Sequence, residues 1–528
     1  MSLFCRSLTP GAAAVALCAA ACGAACGAKE DAVASARISV AVEKRIGTIS
    51  PEIYGHFAEH LGGVIYDGIW VGPGSGVPNI KGIRKDLVNW MKRIRPGVIR
   101  WPGGCFADKY HWMDGIGPRE KRPARFGRWN DTTESNAFGT HEFIEFCRLV
   151  GARPYIVGNV GTGTVEEFQS WVEYCNAPAG TTAMARLREA NGSKEPFGVQ
   201  FWGVGNEAWG CGGSFTPEDY CREYRKFATW LPGYGQKLFL IACGPSGNDT
   251  QWTRRFFEKF EDYKAVSVHG WAPHYYCGTA GTALEYSTDQ WYELIERASQ
   301  MEALIAGQWK ALAERDPEHH VKLAVDEWGC WHPPGTEINK AHTFEQMSTL
   351  RDAMVAALTL DTFNRHCDKV VMANIAQLIN NLHSLFLADG PRFVATPNFY
   401  VYEMYSGHQG AAGLPVAIES PKVEFRAGDA ARSLPALSGS ASLSESVLRI
   451  TVTNISATEP VEAALDLGDI TVKSAKETVL TSADIHAHNT FNSPKAVVPV
   501  TRSLSLPDGA LRHTFAPASV TLLEFELK

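Results

Sequence analysis

The chain has 528 residues, 45% hydrophobic and 20% charged, a balance that excludes a disordered or fibrous protein. At roughly 100–200 residues per domain, this length predicts two or three domains. Fifty-seven acidic residues against 50 basic ones leave a formal charge of −7 with no basic run, which excludes the electrostatic footprint of a nucleic-acid or anionic-membrane binder.

Residues 1–28 carry one charge, Arg6, followed by the apolar run GAAAVALCAAACGAACGA. A positive start, an apolar stretch and small residues have the layout of a secretory signal. The run is too short and too rich in Ala and Gly for a stable membrane span. Cysteines among small residues also fit a lipoprotein signal, with Cys22 as the lipid-bearing candidate. The expectation is an exported protein: periplasmic, extracellular or lipid-anchored. Residues 29–50 read as a linker and a strand, ARISVAVEKRIGTIS, expected to join a C-terminal sheet.

From 51 to 395, short apolar runs alternate with amphipathic stretches. The runs are IYGHFAEH, GVIRWPGG, PYIVGNVG, QFWGVGNE, LFLIACGPSG, AVSVHGWAPHYY, VKLAVDEWG and KVVMANIAQ. Most are apolar at consecutive positions, as strands buried on both faces are. Helical patterns lie between several of them, such as 140–151 and 220–231. Eight such units predict an α/β fold, the (β/α)₈ TIM barrel. A doubly wound sheet is the competitor, but it more often shows a glycine-rich phosphate loop after its first strand. After 395 the helical period ends. SVLRITVTNIS, VEAALDLG, SAKETVLTS and SVTLLEFELK alternate apolar and polar residues, so 396–528 reads as an all-β sandwich of jelly-roll type. Residues 427–446 read as a polar loop.

Catalytic side chains of such barrels sit at the carboxyl ends of strands. Glu207 ends the fourth run and Glu327 the seventh, with a tryptophan, Trp209 or Trp328, within two residues of each. A glycosidase needs two carboxyls flanking one bond, one to give a proton and one to attack or to activate water. The plainer alternative is a pair of strand-end carboxylates in ion pairs. Asn206 offers an amide to a sugar hydroxyl. Arg100 can hold a carboxylate ionised, or can sit in an ordinary salt bridge. His274 and Tyr276 end the sixth run, where packing competes with catalysis as the explanation. HFAEH (56–60) spells an inverted zinc-protease pattern, but that needs a helix, and a strand signal precedes it. Four of the 13 cysteines lie in the first 26 residues. The other nine form no close C-x-x-C pair, so neither a complete disulfide framework nor a zinc ribbon is expected.

The ordered segments PEIYGHFAEHLG, VIRWPGGCFADKYHWMDGIGP, GVGNEAWGCGG, VHGWAPHYY, VDEWG and ANIAQLINNLH resemble glycoside hydrolase family 51, whose typical members are α-L-arabinofuranosidases. The resemblance runs from about residue 45 to the C-terminus. It implies a barrel with a C-terminal β-sandwich and a retaining, double-displacement mechanism on arabinose-containing oligosaccharides or polysaccharides. It makes Glu207 the acid/base and Glu327 the nucleophile, and gives Glu59 the arabinose hydroxyls. Arg100, Cys105, Asn206, His274, Tyr276 and Gln377 match pocket positions. Cys105 stands where some relatives have Asn, and GWAP is inserted before HYY. No metal or cofactor is implied, and members are often hexamers. Two close carboxyls repel, so one of their pKa values rises. The expectation is that Glu207 carries the raised value while Arg100 keeps Glu327 low. Cys211 and Cys330, near the two glutamates, are expected as thiols open to reagents. The alternatives are a β-xylosidase or endoglucanase of the same family, a catalytically silent carbohydrate-binding protein, and a metal-dependent barrel hydrolase.

Overall fold

The computed structural model describes residues 34–127, 132–260, 266–278, 280–505 and 511–528. The leader expected over 1–28, with Cys22, lies outside the described residues. Eight parallel strands close into a barrel in chain order: β1 (Gly55–Phe57), β2 (Val98–Trp101), β3 (Arg153–Gly158), β4 (Phe201–Val204), β5 (Phe239–Ser246), β6 (Gly270–Gly278), β7 (Lys322–Trp331) and β8 (Val370–Ala376). Each apolar run supplies one strand, and β2 and β4 are buried at every position. Val98, Val157, Phe201, Ile241, Ala324 and Met372 belong to the apolar cluster inside the ring.

Helices cover the outside, where one apolar stripe each meets the strands. They are α1 (Lys85–Ile94), α2 (Thr140–Val150), α3 (Val165–Asn176), α4 (Ala183–Ala190), α5 (Pro217–Ala228), α6 (Thr250–Phe260), α7 (Thr288–Ala313) and α8 (Leu350–Arg365). The pattern over 220–231 predicts α5 three residues too late. Thr216 accepts the Asp219 N–H and Pro217 takes the first helical position, which sets the start; extended Thr229 sets the end. A ninth helix, α9 (Pro397–Tyr405), follows β8 and lies beyond the point where the sequence shows helical period. Eight of its nine residues are buried, so no polar stripe marks it as a helix.

The C-terminal strands form two large sheets and a separate antiparallel pair, Lys422–Ala427 with Ala430–Pro435. The larger, seven-stranded sheet runs in the order Gly47–Thr48, Ala412–Leu414, Leu437–Ser444, Val447–Asn454, Ser519–Leu527, Val472–Thr481, Val500–Leu504. The smaller has four strands, Val416–Glu419, Ala34–Val40, Val461–Asp466 and Arg512–Phe515, and Ala34–Val40 pairs with the first antiparallel and with the third in parallel. Leu448, Ile450 and Val452 alternate into the core between the sheets with Ile38, Leu465 and Phe525. The polar loop expected over 427–446 is instead two strands, Ala430–Pro435 and Leu437–Ser444. The second escapes the apolar alternation because its inward polar groups are bonded: Ser440 Oγ donates to Asp361 of α8 at 2.7 Å, and Ser442 Oγ meets His408 Nδ1 at 2.7 Å. Among the described residues no helix is long and apolar enough to cross a membrane.

Candidate active site

The chemically distinctive side chains converge at the carboxyl ends of the barrel strands. Arg100, at the end of β2, is buried and divides its guanidinium among three partners. Nη1 donates to Glu327 Oε1 at 2.7 Å, Nη2 donates to Asn206 Oδ1 at 2.6 Å, and Nε faces Asp326 Oδ2 at 3.2 Å. Tyr276 Oη donates to the other oxygen of Glu327 at 2.8 Å. His274 sits between the two glutamates, with Nδ1 3.0 Å from Glu207 Oε1 and 3.4 Å from Glu327 Oε2; its Nε2 is 2.9 Å from Asp326 Oδ1. After β1, beside the strand of Arg100, Glu59 Oε1 accepts the Phe106 N–H at 2.9 Å, and Gln377 Nε2 reaches Glu59 Oε2 at 3.3 Å.

Local backbone makes room for this convergence. Glu207 itself adopts φ +38, a left-handed conformation that a non-glycine residue holds only when its surroundings impose it. At Gly104 a Cβ would lie 2.9 Å from Glu327 Oε1 and 3.5 Å from Glu59 Oε2, so the second glycine of WPGG keeps the carboxyls accessible. At Gly212 a Cβ would meet the Asn206 carbonyl oxygen at 1.8 Å, so the WGCGG turn can fold under Asn206 only with glycine there. The ladder between β7 and β8 breaks register between Val325 and Trp328. Irregularities of this kind re-aim side chains, and here both Asp326 and Glu327 join the site.

Cys105 differs from expectation. It forms a disulfide with Cys211, Cα to Cα 5.5 Å, joining the segment after β2 to the segment after β4. Cys211 Sγ is 3.6 Å from Glu207 Oε2, so the bridge is a wall of the site rather than a pair of reactive thiols. Cys330 is buried and outside any disulfide, as are Cys147, Cys175, Cys221, Cys243, Cys277 and Cys367. Two distant cysteines meet only through barrel closure, which is why spacing did not reveal the pair.

The electrostatics also depart from expectation. Burial pushes the Glu327 carboxyl up, and Glu207 and Asp326 add to the rise; His274 and Arg100 oppose it without cancelling it. Arg100 therefore does not place Glu327 below the ordinary range. Burial and the Glu327 charge raise Glu59 to about 7. Burial disfavours the charged form of His274, but Glu327, Asp326 and Glu207 outweigh it and raise the imidazole to about 10. At neutral pH the site thus holds an imidazolium between its two glutamates.

Sequence reasoning missed several contributors. Asp326 stands beside Glu327 in the same motif and could have been found there. Tyr155, whose Oη donates to Asp326 at 2.7 Å, lies inside an apolar strand and gave no signal. Phe106 contributes a backbone amide, which no side-chain pattern reports. Among the described residues three donor sets have spacing a metal ion could use: Cys105/Glu207/Cys211, whose two sulfurs are bonded to each other, and then Glu207/His274/Glu327 and Cys330/Asp352/His383. In the second set, the Arg100 guanidinium already supplies a cation to Glu327. In the third, His332 Nε2 is 2.7 Å from Asp352 Oδ1, and His383 Nε2 is 2.9 Å from the Asp352 carbonyl.

Glu207 and Glu327 each place an oxygen within 4.8 Å of the other at the mouth of a β/α barrel. That is the arrangement of a glycoside hydrolase, and it falls on the short side of the roughly 6.5–9.5 Å that inverting enzymes need for a water. The family description "Alpha-L-arabinofuranosidase 1 domain" matches residues 90–291, and "Alpha-L-arabinofuranosidase C-terminal domain" matches 326–519. A protein named intracellular exo-alpha-L-arabinofuranosidase from Bacteroides ovatus is 40% identical over 499 residues, covering 93% of this chain and 96% of that one. The crystal structure of a GH51 arabinofuranosidase from Xanthomonas axonopodis pv. citri superposes with a TM-score of 0.87 at 35% identity, covering 94% of this chain and 100% of that one. An α-L-arabinofuranosidase from Thermotoga maritima, solved as an arabinose complex, gives 0.81 at 33% identity over 93% and 100%. The chain belongs to glycoside hydrolase family 51, the α-L-arabinofuranosidases.

Proposed function

We propose that the protein removes terminal non-reducing α-L-arabinofuranosyl residues from arabinose-containing plant oligosaccharides or polysaccharides by double displacement, with Glu327 as nucleophile and Glu207 as acid/base. The observation that carries this reading is the pair of carboxyls within 4.8 Å, spanned by His274. Arg100 and Tyr276 each bond one Glu327 oxygen, which orients the carboxylate toward the anomeric carbon. Glu327 attacks that carbon while Glu207 gives its proton to the leaving oxygen. The anomeric carbon–oxygen bond breaks and an arabinosyl ester forms on Glu327. Glu207, now a carboxylate, takes a proton from water as that water attacks the same carbon, and the ester opens with net retention. Glu59, Gln377 and Asn206 bond the sugar hydroxyls. Cys105, as half of a disulfide, contributes a wall and no donor. The imidazolium of His274 lowers the repulsion between the two glutamates.

Glu327→Ala abolishes turnover in this reading. Glu207→Ala spares aryl glycosides with good leaving groups far more than poor ones; equal loss on both sinks the role assignment. Proton NMR of the first-formed sugar reads retention. A panel of aryl α-L-arabinofuranoside, β-D-xyloside and β-D-glucoside separates this activity from the β-xylosidase and endoglucanase alternatives.

Export is the finer proposal on location. The Cys105–Cys211 bridge supports it, because disulfides persist in oxidising compartments. The name of the Bacteroides relative points the other way. Fractionation of cells making the chain with and without residues 1–28 decides between them, palmitate labelling reads a lipid anchor, and sedimentation reads a hexamer.

A further inference from the structure

We infer that His60 and Glu134 form a positioning pair that holds the Phe106 amide on Glu59, so that the strand bearing Glu134 sets the affinity of the sugar pocket. The inference rests on the reading of Glu59 as a sugar-binding carboxylate. His60, the last residue of the HFAEH string, is buried and has both ring nitrogens engaged. Trp101 Nε1 donates to His60 Nε2 at 3.0 Å. The indole can only donate, so Nε2 is the acceptor and the ring proton resides on Nδ1. That proton points at Glu134 Oε2, 2.8 Å away.

Glu134 is fixed in turn. Its other oxygen accepts the Asn136 N–H at 2.6 Å and the Tyr66 hydroxyl. Burial works against its charge, yet His60, Tyr66 and Asn136 outweigh it and hold the carboxyl below its usual value. The orientation of the His60 ring matters because the Phe106 ring stacks on it, centroids 4.5 Å apart and planes 12° from parallel. Phe106 N–H is the backbone donor to Glu59. A cavity of about 210 Å³ borders His60, Tyr66, Phe106 and Glu134, so surrounding packing alone does not lock these groups. The chain of contacts runs Glu134, His60 ring, Phe106 ring, Phe106 amide, Glu59. Glu134 lies in the short strand Thr133–Glu134, paired with Arg125–Phe126 and far from Glu59 in sequence. Its state is thus transmitted to the pocket without contact with substrate.

The test is a double-mutant cycle on an aryl α-L-arabinofuranoside, with thermal melting of each protein. Glu134→Gln and His60→Gln each lower kcat/KM about tenfold, mostly through KM. In a Glu59→Ala background, which leaves the Phe106 N–H no side-chain acceptor at position 59, the same substitutions cost less than about twofold, because their effect passes through Glu59. The loss of melting temperature stays equal in both backgrounds, which a purely structural role would also give; the vanishing kinetic effect is what such a role would not give. Losses that multiply in full overturn the inference, as does an unchanged kcat/KM in a folded Glu134→Gln protein. If Glu59→Ala alone leaves kcat/KM unchanged, the reading of Glu59 itself falls, and the two failures are told apart. Should Glu134→Gln cost the fold, Tyr66→Phe removes one donor to Glu134 with little loss of packing and reads the same cycle with a smaller effect.

Discussion

At Gly104 a single hydrogen stands where any side chain would meet Glu327 and Glu59. Gly104→Ala therefore lowers kcat/KM by about 100-fold, the cost of displacing a reacting group by a fraction of an ångström to an ångström. Melting should change little, because the added methyl enters the pocket and not the core; a large fall in melting temperature with activity preserved contradicts this account. The Glu327 carboxyl must be ionised to attack, and its pKa is raised, chiefly by burial. The acid limb of kcat/KM therefore lies above the ordinary glutamate range. Arg100→Lys removes the two-pronged bonding to Glu327 and Asn206 and weakens the pull that opposes burial. Its acid limb moves to higher pH, as a profile over about pH 4 to 8 shows. The two glutamates were legible in the sequence because strand-end carboxylates stand out against apolar runs. The charge on His274 was not, since it depends on three carboxylates brought from β4 and β7.

Between elements, the Cys105–Cys211 bridge ties the two segments that carry Phe106 and Glu207. It spans 106 residues, and in the chain-entropy account such a closed loop stabilises by about 4–5 kcal/mol. Replacing both cysteines by serine lowers the melting temperature and also kcat/KM, because the wall beside Glu207 loosens. Thiol labelling read by peptide mass checks the assignment. Cys147, Cys175, Cys221, Cys243, Cys277, Cys330 and Cys367 label only after unfolding, and Cys105 and Cys211 only after reduction. Labelling of Cys211 in the native, unreduced protein refutes it. Periodicity revealed every barrel strand because burial on both faces writes a continuous apolar run. It failed for α9, buried nearly all round, and for Leu437–Ser444, whose inward serines are satisfied by α8 and His408. Both failures share a cause: the pattern reports contrast between faces, and these elements have none.

Across the whole molecule, the seven-stranded sheet is joined to the barrel through a buried carboxyl. Asp361 of α8 accepts from Ser440 at 2.7 Å, Thr451 at 2.6 Å and Tyr405 at 3.0 Å, and burial raises it to about 6. Burial likewise raises Asp108 to about 8 and Glu59 to about 7. A carboxyl whose folded value lies above its unfolded one stabilises fully below the unfolded value, and that contribution is lost as pH rises through the folded value. Below about pH 6.5, buried neutral histidines such as His56 and His408, lowered to about 3 by burial, act in the opposite sense. Above it, Asp108 and Glu59 act without that opposition. The melting temperature therefore falls from about pH 6.5 to 8, and Asp108→Asn flattens the fall. A rise over that window refutes the assignment. The sequence by itself determined the eight strands, the β-rich C-terminus and the two glutamates, because burial and strand-end polarity are local properties of a run of residues. Only the tertiary structure decided the Cys105–Cys211 pair, the charged His274, the Asp326 and Tyr155 contacts and the amide held on Glu59. Each of these depends on distances between strands far apart in the chain, and those distances exist only once the barrel has closed.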